Sequence, residues 1–144
     1  MQLMLGSPDI ILLCLDQAYA APYIGLLKEI LGDNEAWTKL IAAKKLRFES
    51  TSFIRGTTFN NAIVLVDEMQ NLNFHELDSV ITRLGSECRF IMSGDYYQSD
   101  FQKDNDKNGI LKFMNIVERL NQFEVVEFTW KDIVRSDFVR DYIM

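Results

Sequence analysis

Residues 61–71 read NAIVLVDEMQN, and the fold turns on how they are read. An unbroken apolar run, Ala62 to Val66, ends abruptly in Asp67 and Glu68. Such a run is expected of a strand covered on both faces, as in a parallel sheet. A carboxylate at a strand end can hold a magnesium ion that bridges phosphate oxygens. A neighbouring glutamate can position or deprotonate an attacking water. The alternative is a strand-end turn with two solvated acids.

Working downstream, Asn73 with Glu76 three residues on forms a capping box. Leu77, Val80, Ile81 and Leu84 then give a helical stripe that Gly85 is expected to end. The stretch CRFIMSGD, residues 88–95, predicts a second buried strand ending at Asp95. A polar loop is expected up to Gly109, then a helix over ILKFMNIVERL, a last strand over FEVVEFT, and a short helix capped by Ser136. Working upstream, residues 46–50 alternate like a short strand, and TSFIRGTTFNN reads as a polar loop. Two helices precede it. The first, over 21–33, has Pro22 in its first turn and Gly32 near its end. The second, over 34–46, places Trp37, Leu40, Ile41 and Lys44 on one face. Residues 9–15 fit a buried strand or a helix start; periodicity cannot separate the two over so short a run.

Strands alternating with amphipathic helices predict an α/β domain with a parallel sheet. Ligands bind such sheets beyond the carboxyl ends of the strands, where Asp67, Glu68 and Asp95 all fall. The segment SGDYYQ, residues 93–98, strengthens the functional reading. Gly94 allows a tight turn, after which Asp95 and Gln98 are expected to face one crevice. An amide three residues beyond an acid can hydrogen-bond a γ-phosphate or a catalytic water.

The chain is 144 residues long, enough for one domain with a real core. Its net charge of −6 excludes a broad basic coat for nucleic acid but not a local basic groove. Lys39, Lys44, Lys45 and Arg47 are a local basic cluster, read as a solvated face in preference to a phosphate-backbone contact. Cys14 and Cys88 lie far apart without CxxC spacing, as expected of reduced core cysteines, and the lone His75 has no metal-ligand partners. The run IILLCL is too short to span a bilayer, and the first residues carry no positive charge. A cytoplasmic protein without membrane attachment is the expectation.

The linked motifs carry a more specific resemblance. FIRGTTFNNAIVLVDEMQN resembles the signature of the PhoH-like family of P-loop ATPases, relatives of superfamily-one helicases. Arg55, Gly56, Thr58, Asn61 and Ala62 match the stretch leading into its Walker B strand, and Asp67, Glu68, Gln70 and Asn71 match the Asp-Glu-x-Gln-Asn that follows. TRLG, SGDYYQSD and DIVRSDFV resemble further family elements in the same order. Residues 20–144 are thus expected to be a partial domain of this type, of the P-loop NTPase-like (RecA-like) class, with residues 1–19 unplaced. The resemblance implies ATP and Mg²⁺ as ligands. Asp67 would bind the metal, Glu68 would activate water, and Asp95 and Gln98 would sense the γ-phosphate. Gln70 and Arg55 would serve the nucleotide side, Arg55 alternatively contacting nucleic acid. Arg135 would be an arginine finger acting across a subunit interface in a ring, or else a surface arginine. RNA or single-stranded DNA would be the macromolecular substrate.

One family element is missing. The phosphate-binding loop needs Gly-x-x-x-x-Gly-Lys-Ser/Thr after a strand, and this sequence contains no Gly-Lys dipeptide. The Walker A strand and loop are therefore expected to be lacking, and the isolated chain to hydrolyse ATP poorly. A non-catalytic relic or interaction module, and a metal-dependent nuclease using Asp67, Glu68 and Asp95, are the rival readings. DNDKNG, residues 104–109, imitates half of a calcium loop, but position twelve is Asn115 where a glutamate is needed, and a polar loop is the preferred reading. Tyr96 and Tyr97 are expected to be loop tyrosines, with base stacking as the alternative.

Overall fold

A computed structural model describes residues 7–14, 20–95 and 104–143, and of residues 53, 104–108, 130 and 143 the backbone alone. Two compact units divide the chain, Met1–Phe113 and Met114–Met144.

The first unit is built on a parallel sheet. Its strands are β1 (Asp9–Cys14), β2 (Leu46–Ser50), β3 (Ala62–Val66) and β4 (Arg89–Met92), in the order β2-β1-β3-β4. The run at residues 9–14 is thus a strand, and an interior one. Leu12 pairs with Phe48 on one side and Leu65 on the other, and Leu65 pairs in turn with Ile91. Helices α1 (Ala20–Leu31), α2 (Ala36–Ala42) and α3 (Phe74–Ile81) complete the α/β architecture expected from the alternating pattern, with α4 (Asp104–Val117) following β4.

The two sheet faces are covered unequally. One carries Ile11, Leu13, Ala62, Val64 and Val66, all buried and joined by Phe59, Leu72, Leu77 and Val80 into a continuous core. On the other face Leu65 is only half-buried and Ile91 is 51% exposed. The expectation that the runs at 62–66 and 88–95 are strands covered on both faces therefore needs correction. β3 alternates buried and half-buried residues, and β4 is a short, half-exposed edge strand. An apolar run reports strand propensity, not the number of layers available to cover it.

Several element boundaries also shift. α2 stops at Ala42, and Lys44 takes a left-handed backbone (φ 56°) so that the chain can turn into β2. Lys44 is consequently outside the helix and does not share its face. α3 carries the capping box, Asn73 accepting from the Glu76 N–H while Glu76 accepts from the Asn73 N–H. It ends at Ile81, with Thr82 as its C-cap, ahead of Gly85. Gly85 instead permits a close approach, since a Cβ there would lie 2.5 Å from the Phe59 carbonyl oxygen. The polar stretch 104–109 is the start of α4 and not a loop. Its acidic and amide residues suit a helix N-terminus, and Gly109 lets the helix pass Phe74, whose Cβ a methyl would meet at 3.2 Å.

The second unit contains the end of α4, a short 3₁₀ turn at Trp130–Asp132 and α5 (Asp137–Ile143), where Ser136 accepts from the Val139 N–H as expected of a cap. FEVVEFT is not a strand. It joins no ladder among the described residues, and Val126 and Phe128 are 70% and 79% exposed. Its β-branched and aromatic content supplies propensity, but a strand requires a neighbour to pair with. Among the described residues, no helix is long and apolar enough to cross a membrane.

Candidate functional site

β3 delivers Asp67 to the carboxyl end of the sheet, and the β3–β4 pairing runs on past both strands. Ser93 donates its N–H to the Val66 carbonyl, and Met69 donates to the Ser93 carbonyl. Ser93 is thereby placed against Asp67, as the register of Leu65 with Ile91 requires. The Asp67 carboxylate accepts three hydrogen bonds. Oδ1 takes the Ser93 hydroxyl at 2.5 Å and the Glu68 N–H at 3.0 Å, and Oδ2 takes the Tyr23 hydroxyl from α1 at 2.5 Å. Burial pushes the Asp67 carboxyl up, but donation from Ser93, Tyr23 and the Glu68 N–H outweighs it and holds the group below the usual carboxylate range. Burial, then the bond to Asp67 and its charge, push the Tyr23 phenol well above its ordinary value, so it stays a protonated donor.

Glu68 follows in a left-handed conformation (φ 54°), uncommon for a side-chain-bearing residue and worth about 1 kcal/mol or more of strain. Its exposed carboxylate accepts from Gln70 Nε2 at 2.5 Å. Gln70 is 6% exposed, and its Oε1 accepts the Asp95 N–H at 3.1 Å. One buried amide thus links the Glu68 carboxylate after β3 to the Asp95 backbone N–H after β4. Gly94 makes this possible by its small size, since a Cβ would lie 2.3 Å from Gln70 Oε1 and 3.0 Å from the Met69 nitrogen.

The structure therefore brings Asp67, Glu68, Gln70 and Asp95 into one hydrogen-bonded cluster. Arg55 is exposed, beside the left-handed Gly56, and takes part in none of the cluster's hydrogen bonds. Arg135 is exposed and belongs to the second unit. Gln98, Tyr96 and Tyr97 lie outside the described residues, as do the side chains of Asp104, Asp106 and Asn108. Sequence reasoning passed over Ser93, which the strand register identifies once β3 and β4 are paired. It also passed over Tyr23, which lies 44 residues from Asp67 on a helix without any motif.

Beside the cluster an apolar groove of about 310 Å³ runs along the thinly covered sheet face, lined by Leu12, Leu26, Leu65 and Ile91 and reaching Asp67 and Ser93. Three of the four residues of the basic cluster upstream are paired with carboxylates in place. Lys39 pairs with Asp33 at 2.8 Å, Lys45 with Asp9 at 2.9 Å and Arg47 with Glu49 at 2.6 Å. Cys14 is buried, Cys88 is half-buried, and neither takes part in a disulfide.

A magnesium ion fits this chemistry in one specific way. Among the described residues no three His, Cys, Asp or Glu side chains converge on a point that could hold a metal. Mg²⁺ does not require that: it is commonly held by one or two carboxylates, with substrate phosphates and waters completing its shell. An ionised, oriented Asp67 meets that requirement.

The family model of PhoH-like proteins matches residues 14–144. A PhoH-like protein of Mycobacterium tuberculosis strain H37Rv is 27% identical over 125 residues, covering 87% of this chain and 35% of the relative. One from Synechocystis sp. PCC 6803 is 31% identical over 122 residues, covering 85% and 37%. Protein PhoH of Escherichia coli K12 is 32% identical over 92 residues, covering 64% and 26%. The chain spans about a third of the length of the curated relatives it matches.

Proposed function

The chain belongs to the PhoH-like family, and on that premise we propose that its sheet edge is the acidic half of an ATP-hydrolysing site. The observation that carries this reading is the Asp67–Glu68–Gln70–Asp95 cluster at the ends of two adjacent parallel strands. Asp67 holds the Mg²⁺ that accompanies ATP. When bound, that ion would supply positive charge against the charge that develops on the phosphates. Glu68 accepts the proton of the attacking water, and the Gln70 amide fixes its carboxylate for that task. Asp95 and Gln98 report on the γ-phosphate. Arg135 supplies the arginine finger to a neighbouring subunit of a ring, and Arg55 serves the nucleotide-side loop. Coupling of hydrolysis to RNA or single-stranded DNA, in the cytoplasm, completes the reading; it rests on family likeness alone.

The phosphate-binding half comes from a strand–loop–helix segment outside these 144 residues. Two observations favour this. No Gly-Lys dipeptide occurs in the sequence. Among the described residues, the outer edge of β4 has no paired neighbour, and that edge is the one nearer to Asp67.

Calorimetry of Mg-ATP binding and a phosphate-release assay test the proposal. The chain alone is expected to bind Mg-ATP too weakly for detection at micromolar concentration and to turn it over negligibly. Addition of the loop-bearing segment of a PhoH-like relative is expected to restore binding to the native chain but not to the Asp67→Asn variant. Robust hydrolysis by the chain alone would overturn the half-site reading.

A further inference from the structure

The Asp67 carboxylate has about four acceptor positions, two on each oxygen. Oδ1 uses both of its positions, on Ser93 and on the Glu68 N–H. Oδ2 uses one, on Tyr23. Among the described residues, a single position remains, on Oδ2. With Oδ1 closed by Ser93 and the Glu68 N–H, the geometry points to Tyr23 as the positioning residue that anchors Oδ2 and so holds Asp67 as a one-oxygen metal ligand through that atom. This inference rests on the metal-holding role proposed for Asp67 and goes beyond it, because it names the ligating atom and the group that orients it.

Three features of Tyr23 support the assignment. It reaches Asp67 from a different element, α1, so the bond ties a helix to the strand end and is not a by-product of local chain geometry. Its ring is held in place, tilted against Phe48 at 5.8 Å between centroids, so the hydroxyl is pre-aimed. α1 has no fully buried residue, and Leu26 and Ile30 are 53% and 73% exposed. The Tyr23 hydroxyl thus ties a lightly buried helix to the strand end. Chemically, a small hard ion of octahedral preference suits one oxygen per carboxylate. Two-oxygen ligation is the habit of the larger calcium ion. Ser93 and the Glu68 N–H fill Oδ1, and Tyr23 pins Oδ2, so the carboxylate is kept from turning both oxygens toward one ion; without the Tyr23 anchor it is freer to do so. Hydrogen bonds that orient a ligating carboxylate are commonly worth 10–100-fold in metal affinity.

The test uses Mn²⁺ as a paramagnetic stand-in for Mg²⁺, read by NMR line broadening on the whole chain without nucleotide. In the native chain, millimolar Mn²⁺ should broaden the Glu68 and Ser93 amides and the Tyr23 ring protons together, and Asp67→Asn should abolish all three effects. Tyr23→Phe keeps the ring and removes the hydroxyl. It should weaken Mn²⁺ binding about tenfold and raise the ability of Ca²⁺, relative to Mg²⁺, to compete. A purely structural role would leave that competition ratio unchanged. Unaltered affinity and ratio in Tyr23→Phe would overturn the positioning role alone. Should that variant fail to fold, the native chain still decides: Tyr23 ring protons that stay sharp while the amides broaden would overturn ligation through Oδ2. Broadening that is identical in Asp67→Asn would overturn the metal role of Asp67 itself, and with it both proposals.

Discussion

Asp67 is partly buried yet ionised because three donors compensate the lost water. That balance has a pH signature. The folded-state value lies below the ordinary one, so the group's stabilising contribution is complete at neutral pH and is lost as pH falls through the depressed value. Asp67→Asn should therefore lower the urea midpoint at pH 7, and the gap from the native chain should narrow as the pH is taken below 4. A gap of equal size at pH 7 and pH 3 would refute the ionised, donor-held description. At the same scale, Glu68 and Gln70 form a strained acid and its clamp. The left-handed turn at Glu68 is tolerated because a buried amide, anchored on the Asp95 N–H, holds the carboxylate. The acids were legible in the sequence because a strand end puts them there by connectivity alone. Tyr23 was not, because its bond depends on how α1 crosses the sheet, which no local pattern encodes.

Element by element, the sequence was most readable where local chemistry decides the outcome. The Asn73–Glu76 capping box is complete at both bonds. Asn73→Ala should cost about 1 kcal/mol, measured as a shift in urea midpoint. Because α3 contributes Leu77 and Val80 to the core, the loss should appear in the global transition and not as local fraying; an unchanged midpoint would refute this. The readings that failed share a different cause. Gly85 and Gly109 look like punctuation, yet each marks a place where two backbones or elements come close. FEVVEFT and the run at 88–95 have strand composition, yet whether a strand is paired, buried or bare is decided by neighbours elsewhere in the chain.

For the molecule as a whole, the order β2-β1-β3-β4 puts the earliest described strand between two that come later in the chain. β1 cannot acquire its second neighbour until Ala62–Val66 is available, so the sheet closes through contacts distant in sequence. The four strands therefore differ in how firmly each is locked, and amide exchange with deuterated water should read this as a set of clocks. The amides of Ile11 and Leu13, enclosed on both sides, should exchange only when the entire unit opens. Those of β4, whose outer flank has no partner among the described residues and whose side chains are half-exposed, should exchange through smaller and more frequent openings. Equal rates across the sheet would contradict that ranking. The slow clock and the fast clock meet at the β3–β4 seam, where Met69 and Ser93 fasten one strand end to the other. Asp67 thus stands on the frontier between the most durable part of the sheet and the part most readily loosened, and a segment docking against β4 would slow the fast side alone.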